Sequence, residues 1–242
     1  MNLTDPTIAI TSTLDGPVLA TLARAGKPLT VSEVADASVR GSEIGIRKSL
    51  GRLVSQGIVT AVELGHMRVY SLNREHVGAN VALGLANLRS ELWDRIARTV
   101  EGWNVRPLYA CVFGSAARHQ GGEESDIDLL LVRPSKLAEL KEAQKKKTLM
   151  AALGPWADVI STRVMSDAQV KKWYMNIDNL HELVRRWTGN PLQVISVSAV
   201  EWSEQRRTKS EIYQSIREDE IRLHDEFGPN VYKYRSDEAK QR

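Results

Sequence analysis

Phe113-Gly-Ser-Ala-Ala-Arg-His-Gln-Gly-Gly-Glu-Glu-Ser-Asp-Ile-Asp-Leu-Leu-Leu-Val132 sets a Gly-Ser turn and an Asp-x-Asp pair between two apolar runs. An apolar run, Leu108 to Phe113, leads into Gly114-Ser115. A second run, Leu129 to Val132, follows Asp126-Ile127-Asp128. Each reads as a short buried strand. Alternation along a strand sends the Asp126 and Asp128 side chains to one face. Two carboxylates side by side repel, so placing them there is costly without a cation. Mg²⁺ is the natural partner, a hard ion that takes one or two carboxylates together with substrate phosphates. Gly114 allows close approach of the backbone to a ligand. Ser115 stands where a following helix would begin, and its hydroxyl and the free N–H groups of that turn suit a phosphate. These parts fit in-line displacement at phosphorus, with metal on the attacking and leaving oxygens.

Through Gly114, Ser115, Ala117, Arg118, Ser125, Asp126, Asp128 and Leu129, the block resembles the DNA polymerase beta-like nucleotidyltransferases, in particular the minimal nucleotidyltransferases of bacteria and archaea. It departs at one place: the family's glycine after the arginine is His119 here, which leaves Gly121-Gly122 to supply loop flexibility. The resemblance implies a mixed sheet flanked by helices and a third carboxylate on a later strand. It assigns that carboxylate to Asp158, in Trp156-Ala-Asp-Val-Ile-Ser161. It further implies catalysis and metal binding by Asp126, Asp128 and Asp158 with two Mg²⁺ ions. Nucleotide contacts fall to Gly114, Ser115, Arg118 and Ser125. The implied reaction moves AMP from ATP, or the equivalent part of another NTP, to an acceptor hydroxyl. The implied acceptor is a partner toxin protein in a toxin–antitoxin-like system. Two other readings stand beside it: a transcriptional regulator whose transferase fold only senses nucleotide, and a transferase acting on RNA ends or a small molecule.

Upstream, residues 1–73 read as helix, helix, helix, hairpin. The first helix runs over Asp15 to Ala25, with Val18, Leu19 and Leu22 as its apolar stripe, and Gly26-Lys-Pro28 stops it. Thr30 with Glu33 forms the signature of a capping box, with Val31, Val34 and Ala35 inward. Gly41-Ser42 opens a third helix through Gln56, apolar at Ile46, Leu50, Leu53 and Val54. Strands follow at Ile58–Glu63 and Met67–Leu72 around Leu64-Gly65-His66. This order resembles a winged helix-turn-helix domain of the MarR and ArsR kind. Arg47, Lys48 and Arg52 lie off the apolar face of the third helix, where they could meet phosphates or guanine edges, and Arg68 falls on the wing. Against this, residues 1–73 hold seven basic and six acidic side chains, so DNA attraction there is local rather than global. Protein docking and dimerisation are the other uses of such a module.

Residues 74–104 read as one connecting helix. Val81, Leu85, Leu88, Leu92, Ile96 and Val100 step by three or four, as a core or homodimer seam does. The transferase domain is expected over 105–228, with strands at 107–113, 126–133, 157–164 and 192–198. Its helices are expected at 136–153, 167–187 and 203–227, the last as a C-terminal helix, and 229–242 as a flexible tail. The fold class is therefore α+β. Lys145-Lys-Lys147 reads as a solvated face, and Trp187-Thr-Gly-Asn-Pro191 as a helix stop with Asn190 in a structural role.

Composition sets outer bounds. The 242 residues are 42% hydrophobic and 26% charged, as in a globular protein with a core. A net charge of +3 is too mild to argue nucleic-acid binding alone. The single cysteine, Cys111, excludes a disulfide within the chain and a cysteine zinc site, and reads as a buried small hydrophobe. The five histidines are scattered, and no Gly-x4-Gly-Lys-[Ser/Thr] loop or His-Glu-x-x-His is present. No apolar run approaches a membrane span, and Met-Asn-Leu-Thr-Asp-Pro lacks a basic leader, so the expectation is a cytoplasmic protein without a membrane partner.

Overall fold

The computed structural model describes residues 1–145 and 163–226. The chain divides into two compact units, Met1–Leu92 and Trp93–Arg242.

In the first unit the caps act as the local sequence requires. Helix α1 (Asp15–Ala25) ends on Gly26 in the left-handed region. Strand β1 (Leu29–Thr30) leads into α2 (Val31–Ala37), where the Thr30 hydroxyl accepts from Glu33 N and Glu33 reaches back to Thr30 N, completing the capping box. Ser42 caps α3 (Glu43–Ser55). Strands β2 (Val59–Leu64) and β3 (Met67–Leu72) form an antiparallel hairpin, turning at Gly65, whose φ is +63°. Strand β1 adds to the other side of β3, giving a three-stranded sheet ordered β1-β3-β2. Val18, Leu22, Val34, Ile46, Leu50 and Val59 make the core between helices and sheet. Arg40 ties the N-terminal segment by an ion pair to buried Asp5, 2.6 Å, and a bond to Thr13 O, 2.9 Å.

Helix α4 (Ala79–Glu101) matches the expected connecting helix, with a correction at its start. Val81 is 63% exposed, and Ala82 takes the inward place with Leu85. The smaller side chain faces the well-filled first core, so the apolar spacing alone pointed one residue off. Farther along, Leu92, Ile96 and Val100 are buried as expected.

The second unit is built on a four-stranded sheet ordered β6-β5-β4-β7. Strand β4 (Tyr109–Phe113) pairs antiparallel with β5 (Ile127–Arg133), and β5 pairs in parallel with β6 (Leu192–Ser198). One-turn helix α5 (Gly114–Ala117) follows β4, and α6 (Leu137–Lys145) follows β5. Helix α7 (Asp167–Thr188) carries its own capping box, Ser166 with Gln169, and ends at Gly189 in the left-handed region. Alternation divides the strands between two cores. Tyr109, Cys111, Leu130 and Val132 pack with Leu140, Trp202 and Ile216 on one side. Trp173 of α7 meets Trp103 in a T-shaped contact, 5.0 Å between ring centroids, and donates from Nε1 to Ser196 Oγ at 2.9 Å.

The helix expected at 203–227 is corrected. The region holds α8 (Ala199–Thr208), α9 (Glu211–Asp219) and strand β7 (Ile221–Asp225). Ser198 and Glu201 start α8 earlier with a capping box, and Lys209, at φ +48°, breaks the helix before Ser210 caps the next. Strand β7 pairs antiparallel with β4, with an irregularity at Ala110/Cys111. A sheet edge in need of a partner outweighs the helical spacing of the segment. The remaining expected strand, 157–164, lies mostly outside the described residues, and the tail at 229–242 wholly outside them; Met165 bridges Lys136 in parallel. Among the described residues, no helix is long and apolar enough to cross a membrane.

Candidate active site at the Gly-Ser turn

The end of β4 and the start of β5 lie side by side, with Phe113 opposite Asp128. The chain must leave β4 without covering Asp128, and Gly114 makes that exit. Its φ is +70°, in the left-handed region. A Cβ placed there would lie 2.7 Å from Asp128 Oδ2. Hydrogen is therefore the one side chain that fits both the backbone and the carboxylate. Ser115 is the second residue of α5, as expected for a turn that opens a helix.

Asp126 immediately precedes β5 and is exposed, while Asp128 is half-buried within it. Burial pushes the Asp128 carboxyl above the ordinary carboxylate range, the Asp126 charge pushes it further, and Arg118 works against both. The Asp126 charge thus reaches Asp128. Such a pair fits a divalent cation: hard oxygen donors, mutual repulsion that a cation removes, and space beside Asp128 kept open by Gly114. Asp126 and Asp128 would hold the ion. Among the described residues no group of three or more His, Cys, Asp or Glu is placed to hold a metal. Asp158, assigned to this site from the sequence, lies outside the described residues.

Arg118 follows α5 and is engaged. Its Nε donates to Gln120 Oε1 at 3.1 Å, and its Nη1 forms an ion pair with Asp219 at the end of α9. Asp219 was missed from sequence, because it is 101 residues away and reaches the site only through the packing of α9. The Ser125 hydroxyl, expected at the nucleotide, accepts from Gly122 N at 2.7 Å and closes the loop on itself. That loop borders an open depression of about 560 Å³ lined by Gly122, Glu123, Glu124 and Ser125.

His119 explains its own departure from the glycine pattern. It sits at φ +65°, whereas Gly121 and Gly122 are not among the positive-φ glycines. The left-handed position of the loop falls on the imidazole-bearing residue itself. His119→Gly is expected to keep or raise stability, by up to about 1 kcal/mol, because a side chain is strained there. Chemical denaturation measures it; a loss of more than about 1 kcal/mol would mean that the imidazole's contacts outweigh the strain.

On α3, Arg47 and Lys48 are exposed. Arg47 pairs with Glu43 one turn back at 2.8 Å. Arg52 turns to Asp15 of α1 in an ion pair, where Ser49 also donates to the same carboxylate at 2.5 Å. Arg68 lies over the Tyr70 ring, 5.8 Å from its centroid.

Residues 96–177, about a third of the chain, match the model of a family described as the nucleotidyltransferase domain. The match takes in the Gly-Ser turn, the loop and both aspartates. It supports a transferase activity of that general kind, and the mixed α+β architecture around the site agrees with such a domain. No curated protein matches the sequence. A solved structure, that of human N-acetylserotonin methyltransferase in complex with SAM, matches at 21% identity and a TM-score of 0.25, over 42% of this chain. This chain covers 32% of that one, and a likeness at that TM-score carries no argument.

Proposed function

We propose that the protein transfers a nucleoside monophosphate, AMP from ATP in the first instance, to an acceptor hydroxyl. The observation that carries this reading is the contact between Gly114 and Asp128, a glycine turn held open against one of two mutually repelling carboxylates. In this reading Asp126 and Asp128 hold Mg²⁺. Bound there, the metal supplies charge neutralisation on the transferred phosphoryl group. Gly114 and Ser115 present the turn to the phosphates. Arg118, ion-paired with Asp219, acts on the Asp128 charge and would offset negative charge gathering there. Asp158 would complete the site or take the acceptor proton, as the family resemblance implies. The acceptor proposed on the same resemblance is a partner protein of toxin–antitoxin type.

The test is incubation with each α-³²P-labelled NTP and Mg²⁺, with and without the product of the adjacent gene and bulk RNA. The control is Asp126→Asn/Asp128→Asn. Label on an acceptor, lost in the control, supports transfer and names both base and acceptor class. Nucleotide binding with no transfer to any acceptor would favour a nucleotide-sensing regulator instead.

The first unit supports a second role. Three helices, a short strand between the first two, and a hairpin closing a three-stranded sheet suit a winged helix, with α3 as the DNA-reading helix. Arg47 and Lys48 offer it exposed cations. Arg52 is committed to Asp15, so a variant there would test packing as much as binding. Arg47→Ala/Lys48→Ala is expected to weaken binding to the protein's own promoter and to reduce the slope of log K against log salt by about 2. Fluorescence anisotropy across a KCl series reads this, and an unchanged slope and affinity would remove α3 from the interface.

A further inference from the structure

Asn190 is wholly buried, immediately beyond Gly189 and the end of α7. Its Nδ2 reaches three backbone carbonyls of the loop between the Gly-Ser turn and the aspartates: Gly122 at 3.2 Å, Glu123 at 3.1 Å and Ser125 at 3.0 Å. The amide orientation is unambiguous, because the opposite one would aim Oδ1 at three lone pairs. The next residue, Pro191, accepts from Ile127 N at 2.9 Å. Asn190-Pro191 therefore grips the backbone on both sides of Asp126. Register runs on from there, with Ile127 opposite Leu192 and Asp128 opposite Gln193.

We propose that Asn190 is a positioning residue for divalent-cation binding: it fixes the loop so that Asp126 stands against Asp128, without touching the ion. This rests on the reading of the two aspartates as a metal pair. Asp128 is held by the sheet on both sides, through β4 and β6. Asp126 lies outside the ladder and depends on the loop for its place. Asn190 itself is wholly buried, Gly122 and Ser125 are half-buried, and removing the amide would take the donor from all three loop carbonyls and loosen the loop. A carboxylate at the same position has no hydrogen to give.

The probe is Mn²⁺, counted by electron paramagnetic resonance on the full chain without nucleotide. Hydrogen exchange of a peptide spanning 119–128 is followed in parallel. The parent protein is expected to bind Mn²⁺, and Asp126→Asn/Asp128→Asn to lose it. Asn190→Ala is expected to bind about 10- to 100-fold more weakly, the usual effect of removing an outer partner of a metal ligand, with faster exchange confined to the loop. Asn190→Ser keeps one short donor and serves where the alanine variant fails to fold; it is expected to fall between the two. A lower Tm with unchanged Mn²⁺ affinity would show a merely structural role and overturn the inference while leaving the metal pair intact. A parent protein that binds no Mn²⁺ would overturn the metal pair itself, and this inference with it.

Discussion

On the proposed reading, Asp128→Asn will reduce nucleotidyl transfer by about 10³-fold or more while the fold persists. If Asp126 and Asp128 hold the cation as proposed, removing one carboxylate forfeits several kcal/mol of charge stabilisation at the reacting phosphoryl group, and each 1.4 kcal/mol is about tenfold in rate. Stability moves the other way. Burial first, and Asp126 second, raise the Asp128 carboxyl above its ordinary range, against the pull of Arg118. A carboxyl whose folded pKa is raised contributes stability that is full below its unfolded pKa and is lost as pH rises through the folded pKa. At neutral pH the ionised Asp128 therefore weighs against the fold, and the neutral amide does not. Thermal unfolding of the metal-free protein at pH 7 should give an asparagine variant at least as stable as the parent. The difference should shrink as pH falls through the raised pKa. Full transfer by Asp128→Asn, or a marked loss of stability at pH 7, would contradict this account.

Gly114→Ala should be nearly as damaging, for a steric rather than a chemical reason. The alanine must hold φ near +70°, a strain of about 1–2 kcal/mol, and its methyl would stand 2.7 Å from Asp128 Oδ2. The carboxylate then has to turn away or the turn has to shift. Either response would disturb the proposed metal pair, so we expect transfer to fall on the order of 100-fold and Mn²⁺ affinity to weaken with it, since misplacement by about 1 Å has that cost. A variant with parental Mn²⁺ affinity would show that the turn tolerates the methyl group and that the close approach is incidental.

Local chemistry made much of this molecule readable. The Thr30–Glu33 capping box, the Gly26 stop and the hairpin at Gly65 are each decided within a few residues, and each was found where its signature lies. The strand–Gly-Ser–loop–Asp-x-Asp order was legible for the same reason. What escaped depends on distant partners. Asp219 meets Arg118 across more than a hundred residues of chain, and Asn190 meets the loop across 65 to 68. Neither carries a local signature beyond a surface acid and a helix-stop asparagine. The segment at 203–227 misled because Ile212 and Ile216 keep helical spacing, while Ile221–Asp225 answers to the open edge of β4. Ala82 in place of Val81 is a smaller case: the spacing found the helix but not its rotation about the first core.

The place of β7 in the sheet bears on how the protein is made. Strand β4 is central in the finished sheet, yet one of its two neighbours, β7, is translated nearly last among the described residues. At ribosomal speeds of about 5–20 residues per second, the interval between completing β5 and completing β7 is on the order of ten seconds. Throughout it, Tyr-Ala-Cys-Val-Phe presents one uncovered row of backbone donors and acceptors on an uncharged strand, the arrangement most prone to pair with another chain. A nascent chain stalled between β5 and Ile221 is therefore the form in which that open row of β4 most needs covering, as by a chaperone.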